Sequence, residues 1–297
     1  MTQPKALHLN GGPQGVMLFH GLSSAPQELQ FLARGLQRAG YTVRLPVIPG
    51  YSFGFPTDEP SKAEHWQAAA LAEFDAFAEQ HETVAVGGLC IGAVLSLRIA
   101  AMRPGKLSGL MGLSTTLHYD GWAVPWYRRL LPLAHVLPMS GRIPVAEKAP
   151  FGVKDERMRV FIERQMAEMG TSQAGASILR VRELLQAHRL IQMARRSLSQ
   201  INAPTLLIHA HEDDAASTRS VFEAASKIRS RTVRTVLLND SYHMISIDRE
   251  KQRVLSEMTD FLENEHGKAA ASVPSRSSRL PALSNLFRLN SLGLQGA

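Results

Sequence analysis

Gly88-Leu89-Cys90-Ile91-Gly92 places the only cysteine of the chain between an apolar run, TVAVGG (83–88), and a helical stretch, LCIGAVLSLRIAAM. A nucleophile on such a strand-to-helix turn stands above a sheet, and the flanking glycines let the backbone turn without side-chain clashes. The helix behind it points its free N–H groups and positive dipole end at the sulfur, which favours a thiolate and later an oxyanion. The competing reading is a small buried hydrophobe, the way most free cysteines behave. A sulfur nucleophile needs a base, and the base needs an orienting acid. Both follow downstream: PTLLIHA (204–210) leads into His211-Glu212-Asp213-Asp214, and TVRTVLLND (232–240) into Ser241-Tyr242-His243. His243 is the expected base and Asp213 the expected acid, chosen over Asp214 by its offset from the strand end.

The remaining requirement is a pair of donors for the oxyanion. The backbone N–H of Leu22, in LFHGLSS, can face that of Ile91, and two donors aimed at one developing charge lower a barrier by several kcal/mol. His20, in the same turn, reads as structural. His209, His211, Glu212 and Asp213 also admit a metal cluster, but His209 belongs to a strand, where alternate side chains face opposite sides, and no H-E-x-x-H helix is present. No metal and no cofactor are expected.

Apolar runs alternate with amphipathic stretches, as strands laid between helices in a largely parallel sheet do. GVMLFHG (15–21), TVRLPV (42–47), TVAVGG and LSGLMGLST (107–115) read as strands, as do the two late runs above. Helices are expected from about Pro26 to Ala39 with Gly40 beyond the end, over 61–80 behind a capping box from Ser61 to Glu64, near 218–228 and near 247–265. Residues 116–202 carry helical periodicity, several prolines and no convincing strand, too long for a loop within a compact domain. The expected organisation is a core of 1–115 and 203–266, a helical cap inserted at 116–202, and a disordered basic tail at 267–297. In the cap, Tyr119, Trp122, Trp126 and Tyr127 crowd together in HYDGWAVPWY; they can line an acyl pocket or form the cap's own small core.

Net charge is +7, from 33 basic and 26 acidic residues. The tail, with Lys268, Arg276, Arg279 and Arg288 and no acid, carries much of it, and no basic stripe interleaved with aromatics supports nucleic-acid binding. Arg180, Arg182, Arg189, Arg195 and Arg196 face only Glu183 in 175–200, an excess that could dock an acyl carrier protein or the phosphates of coenzyme A, or be a solvated helix face. Leu280, Leu283, Leu286, Phe287 and Arg288 form a weakly amphipathic segment that could touch a membrane surface, although one marginal helix binds weakly. Hydrophobic residues make up 44% of the chain, with no run long enough to span a membrane and no secretion-type start, so a cytoplasmic enzyme is expected. One cysteine rules out an intramolecular disulfide.

Taken together, His20-Gly21-Leu22-Ser23, Gly88-Leu89-Cys90-Ile91-Gly92, Asp213 and Ser241-Tyr242-His243, in that order over residues 13–265, resemble the α/β-hydrolase superfamily, in particular its capped carboxylesterase and monoacylglycerol-lipase-like members. The resemblance implies an α/β-hydrolase fold, a mostly parallel sheet with helices on both faces and a helical lid. Most esterases of this fold carry serine where this chain has Cys90; dienelactone hydrolases and polyhydroxyalkanoate synthases carry cysteine. The expected activity is hydrolysis of a small-molecule carboxylic ester or thioester through Cys90, His243 and Asp213. The alternatives are an acyltransferase passing the acyl group from Cys90 to an amine, alcohol or thiol, and a non-catalytic ligand-binding protein of the same fold.

Overall fold

A computed structural model describes residues 4–55, 61–125, 140–172 and 174–272. Trp126, Tyr127 and the tail segment Leu280–Arg288 lie outside the described residues.

The strands of the main sheet are β1 (Leu7–Leu9), β2 (Gln14–Phe19), β3 (Thr42–Leu45), β4 (Thr83–Leu89) and β5 (Leu107–Leu113). The segment that follows holds short strands β6 (Pro144–Ala146), β7 (Thr171–Ser172), β8 (Gly175–Ala176) and β9 (Ile178–Arg180) before β10 (Thr205–Ala210) and β11 (Val233–Leu238) return to the sheet. The seven-stranded order is β1-β3-β2-β4-β5-β10-β11. Every pairing is parallel except that of β1 with β3. This is the α/β-hydrolase fold. The edge strand β1 escapes the sequence reading because three residues are too few for alternation to register.

The helices are α1 (Gln30–Arg38), α2 (Ala63–Ala78), α3 (Ile91–Met102), α4 (Glu156–Met169), α5 (Val181–Ser197), α6 (Arg219–Lys227) and α7 (Lys251–Ser272). Period-two alternation sends strand residues into two apolar layers. Met17 and Phe19 join Trp66 and Phe74 of α2, Val94 of α3, Leu190 of α5 and Val221 of α6. Val16 and Leu18 join Leu32 and Leu36 of α1 and Met258 and Phe261 of α7. Burial on both faces explains why the central strands read as continuous apolar runs.

Three local expectations change. The helix expected from Pro26 opens as a 3-10 turn, Pro26–Leu29, before α1. The Ser61–Glu64 capping box does not form: Ser61 Oγ donates to the Gly50 carbonyl at 2.8 Å and accepts from Trp66 Nε1 at 2.6 Å, while Gln186 takes the Ala63 N–H at 3.0 Å. A buried tryptophan N–H is a stronger claim on that hydroxyl than an exposed helix end. α7 starts at Lys251 rather than near 247, because the Ile247 and Asp248 N–H groups turn back onto the Met244 carbonyl.

The described residues between β5 and β10 hold α4 and α5 and also two small ladders, β6 with β9 and β7 with β8, both antiparallel. Two- and three-residue strands leave no periodic trace. α5 is seated on the core: Arg98 of α3 donates to Ser197 Oγ at 2.6 Å and to the Met193 carbonyl at 3.2 Å. Glu223 of α6 fastens the same region, accepting from Arg195 at 2.8 Å, Lys227 at 2.7 Å and His118 at 2.6 Å. Burial favours its neutral form, but these three partners outweigh it and hold the carboxyl down at about 2. Because the folded value lies below the unfolded one, this stabilisation is complete above the ordinary glutamate range and is lost as pH falls toward 2. Glu223→Gln is expected to lower unfolding free energy by about 2–3 kcal/mol at pH 7, and the gap to wild type in urea titrations should close on acidification.

Candidate active site

β4 ends at Leu89 and α3 begins at Ile91, so Cys90 alone makes the turn, with φ 57° and ψ −118°. A non-glycine residue held there carries backbone strain of about 1–3 kcal/mol, which the packing around it must offset. That packing needs glycine on both sides. A Cβ on Gly92 would run into the Phe19 and His20 carbonyl oxygens, and one on Gly88 into the Gly92 backbone. The end of β2 is thereby pressed against the first turn of α3, which brings the turn after β2 beside Cys90.

In that turn His20 is 1% exposed and burial lowers its pKa to about 4, so it is neutral. Its Nδ1–H donates to the Gly21 carbonyl at 2.7 Å, and Nε2 accepts from Ser52 Oγ at 2.8 Å, fixing the backbone rather than meeting substrate. Ile91 is the first residue of α3, and its N–H has no acceptor within the helix. The Leu22 N–H likewise has no acceptor among the described residues, whereas the Ser23 and Ser24 N–H groups are used.

The two late loops meet Cys90 from the other side. His243 Nδ1 donates to Asp213 Oδ2 at 2.8 Å, with Oδ1 at 3.0 Å. Asp213 Oδ1 also accepts from the Ala215 and Ala216 N–H groups, at 2.8 and 2.7 Å. Burial alone would raise this carboxyl, but His243, His209 and the backbone donors pull it below the usual range. Asp214 is equally buried but does not reach the imidazole. It accepts from the His243 N–H at 3.2 Å and the Gly152 N–H at 3.1 Å, and burial raises its pKa. On His243 burial works against the charged ring, yet Asp213 and Cys90 prevail and lift its pKa well above the ordinary value. Its Nε2 is buried with no hydrogen-bond partner among the described residues, the far end of the chain from Asp213.

Sequence reasoning missed Thr116 and Glu28 as neighbours and considered His209 only for a metal cluster. Thr116 Oγ1 lies 3.4 Å from Cys90 Sγ and can donate to it. His209 lies 3.3 Å from Asp213 Oδ2 and donates through Nε2 to the Ala216 carbonyl at 2.8 Å. Glu28 accepts from the Gly21 N–H. Among the described residues no group of three or more His, Cys, Asp or Glu side chains is placed to hold a metal ion.

Above Cys90 and His243 opens a cavity of about 530 Å³, walled by cap residues including Val145, Met166, Leu179 and Leu184. Tyr119 lines it. Trp122, expected beside it, is 60% exposed: its Nε1 donates to the Glu212 carbonyl at 2.9 Å and its ring packs edge-on against Tyr242. The Gly121–Asp214 contact turns this residue outward, since the Gly121 N–H bonds the Ala215 carbonyl at 3.1 Å and the Ala123 N–H the Asp214 carbonyl at 3.0 Å. Of the arginines in 175–200, Arg189 pairs with Glu64 and Arg195 with Glu223, so part of the expected surface excess is spent holding α5 to the core.

Residues 13–250 match the family described as serine aminopeptidase, S33 (Hydrolase_4). The chain belongs to that family. It is 23% identical over 266 residues to a carboxylesterase of Bacillus subtilis (strain 168), covering 89% of this chain and 98% of that protein. It is 22% identical over 270 residues to a thermostable monoacylglycerol lipase of Bacillus sp. (strain H-257), covering 90% and 97%. Among solved structures, that of a metagenome-derived lipolytic enzyme described with LipS and LipT superposes with a TM-score of 0.73 at 22% identity, over 89% of this chain and all of the other. Against a family named for serine, Cys90 is the departure.

Proposed function

We propose that this member of the family hydrolyses carboxylic esters or thioesters of small-molecule acyl groups through an acyl-Cys90 intermediate. The observation that carries the reading is the Nε2 of an Asp213-bound His243, without a hydrogen-bond partner among the described residues, in a cavity that Cys90 also lines. Cys90 Sγ attacks the acyl carbon while its proton passes to His243 Nε2. The oxyanion is held by the Leu22 and Ile91 N–H groups. Collapse expels the alcohol or thiol, which takes the proton from His243. Water then attacks the thioester, gives its proton to His243, and releases the acid and the thiol. Esterase and lipase names among the relatives support ester substrates.

Acyl transfer uses the same residues with a different second nucleophile, and Cys90 itself favours it, because thioesters yield more readily to amines and thiols than to water. Coenzyme A or an acyl carrier protein would be the donor in that case. A cytoplasmic setting suits either reading, since reducing conditions keep a free thiol nucleophile unoxidised.

Intact-mass time courses with a short-chain p-nitrophenyl ester and, separately, an acyl-coenzyme A are expected to show an acyl adduct that Cys90→Ala abolishes. Decay of the adduct in water supports the hydrolase; persistence until an amine or thiol is added supports the transferase. Product release by wild type and Cys90→Ala at equal rates would overturn both.

A further inference from the structure

The turn carrying Gly21 and Leu22 is backed by a carboxyl group that the steps above do not use. Glu28, in the 3-10 turn Pro26–Leu29, is 2% exposed and lines the cavity with Cys90 and His243. The Gly21 N–H donates to Oε1 at 3.1 Å and lies 3.3 Å from Oε2. A methyl group placed on Gly21 would stand 3.3 Å from Glu28 Oε1, 3.4 Å from Oε2 and 3.7 Å from Cys90 Cβ. The carboxyl and the Cys90 side chain thus both border the space beside Gly21.

The groups that face Glu28 come from every neighbouring element. Ser24 belongs to its own turn, Tyr51 to the loop after β3, Cys90 to the elbow and His243 to the loop after β11. Asp214, Glu147 and Lys148 line the same cavity. Burial favours the neutral acid over the opposing pull of the Gly21 N–H and His243, and the pKa is pushed up to about 7.

We propose that Glu28 is a positioning residue of the oxyanion site, fixing the Gly21–Leu22 turn, and that the site accepts an oxyanion only while the Glu28 carboxyl keeps its proton. A neutral carboxylic acid still accepts the Gly21 N–H through its carbonyl oxygen, so the turn keeps its shape in both states. What changes is charge. An ionised carboxylate behind the turn opposes the negative charge that the Leu22 and Ile91 N–H groups stabilise, in a cavity where water screens it poorly. The inference rests on the ester-hydrolase reading but not on which atom attacks, because any attack from the elbow sends its oxyanion to the same donors.

The test is the pH profile of kcat/KM for ester turnover from pH 6 to 9, followed by acid release. Ionisation of Glu28 is expected to take more than about tenfold from wild type between pH 7 and 8.5, the range over which a group titrating near 7 goes from half to almost fully ionised. Glu28→Gln keeps an acceptor for Gly21 and cannot ionise, while His243 titrates in both proteins; the ratio of variant to wild-type activity at the same pH should therefore rise more than about tenfold across that range. A ratio that stays flat overturns the proposal. Should Glu28→Gln fail to fold, a wild-type profile that shows no fall between pH 7 and 8.5 does so instead. Failure of the Cys90 adduct experiment leaves these profiles measurable, so the two readings fall separately.

Discussion

Replacing Cys90 with alanine is expected to lower ester turnover by about 10⁴-fold or more, leaving what the oxyanion donors and cavity provide by themselves. Cys90→Ser is the more informative variant. The elbow, the helix N-terminus and the Leu22 and Ile91 donors are indifferent to the exchange of sulfur for oxygen. His243 is not. Its pKa is lifted by Asp213 and by Cys90. A hydroxyl is a far weaker acid than a thiol, so the ring must remove a more tightly held proton as the oxygen attacks. The shorter C–O bond also draws the nucleophile back toward the elbow, away from Nε2 and from Thr116 Oγ1. A loss of at least about tenfold on all donors is therefore expected, larger where the leaving group is a thiol. Measured kcat/KM on matched oxygen esters and thioesters checks this; undiminished turnover of Cys90→Ser on both would mean that sulfur contributes nothing to the chemistry.

The parts of this site that sequence makes legible are those defined by backbone geometry. A glycine-flanked residue between a buried strand and a helix has one way to turn, and Gly92 lies where any side chain would strike the β2 carbonyls. Residues just after late strands fall at one edge of the sheet, so Asp213 and His243 could be named from β10 and β11 alone. Legibility ends where a side chain's fate depends on a distant partner. Glu28 follows Pro26 in a first helical turn, where an acid ordinarily faces solvent and complements the dipole; here it turns inward onto the Gly21 N–H and lines the cavity. Ser61 precedes a helix with the spacing of a capping box, but Trp66 and Gly50 claim its hydroxyl. Trp122 shares its aromatic cluster with Tyr119, yet one lines the cavity and the other lies on Tyr242 at the surface. Composition cannot separate them, because the separation is made by backbone bonds to the Asp214 loop.

The neighbouring acids Asp213 and Asp214 are expected to respond very differently to the same substitution. In Asp213→Asn one side-chain atom must remain oxygen to receive the Ala215 and Ala216 N–H groups, at 2.8 and 2.7 Å from Oδ1. The amide nitrogen then takes the place of Oδ2, the nearer atom to His243 Nδ1 at 2.8 Å, where it can only donate. Nδ1 must give up its hydrogen to accept it, the hydrogen moves to Nε2, and Nε2 loses the lone pair that takes the thiol proton. An asparagine free to rotate would present its oxygen to the ring instead; here the two backbone donors forbid that rotation. Turnover should fall about 10³–10⁴-fold with little change in KM. Asp214→Asn disturbs only the acceptors of the His243 and Gly152 N–H groups and leaves the imidazole tautomer alone. Its cost is expected in stability, about 1–3 kcal/mol for one mismatched buried hydrogen bond, with turnover kept within about tenfold. Kinetics and urea titrations on the two variants side by side decide the matter: equal catalytic losses, or the larger loss in Asp214→Asn, would reassign the acid that orients His243.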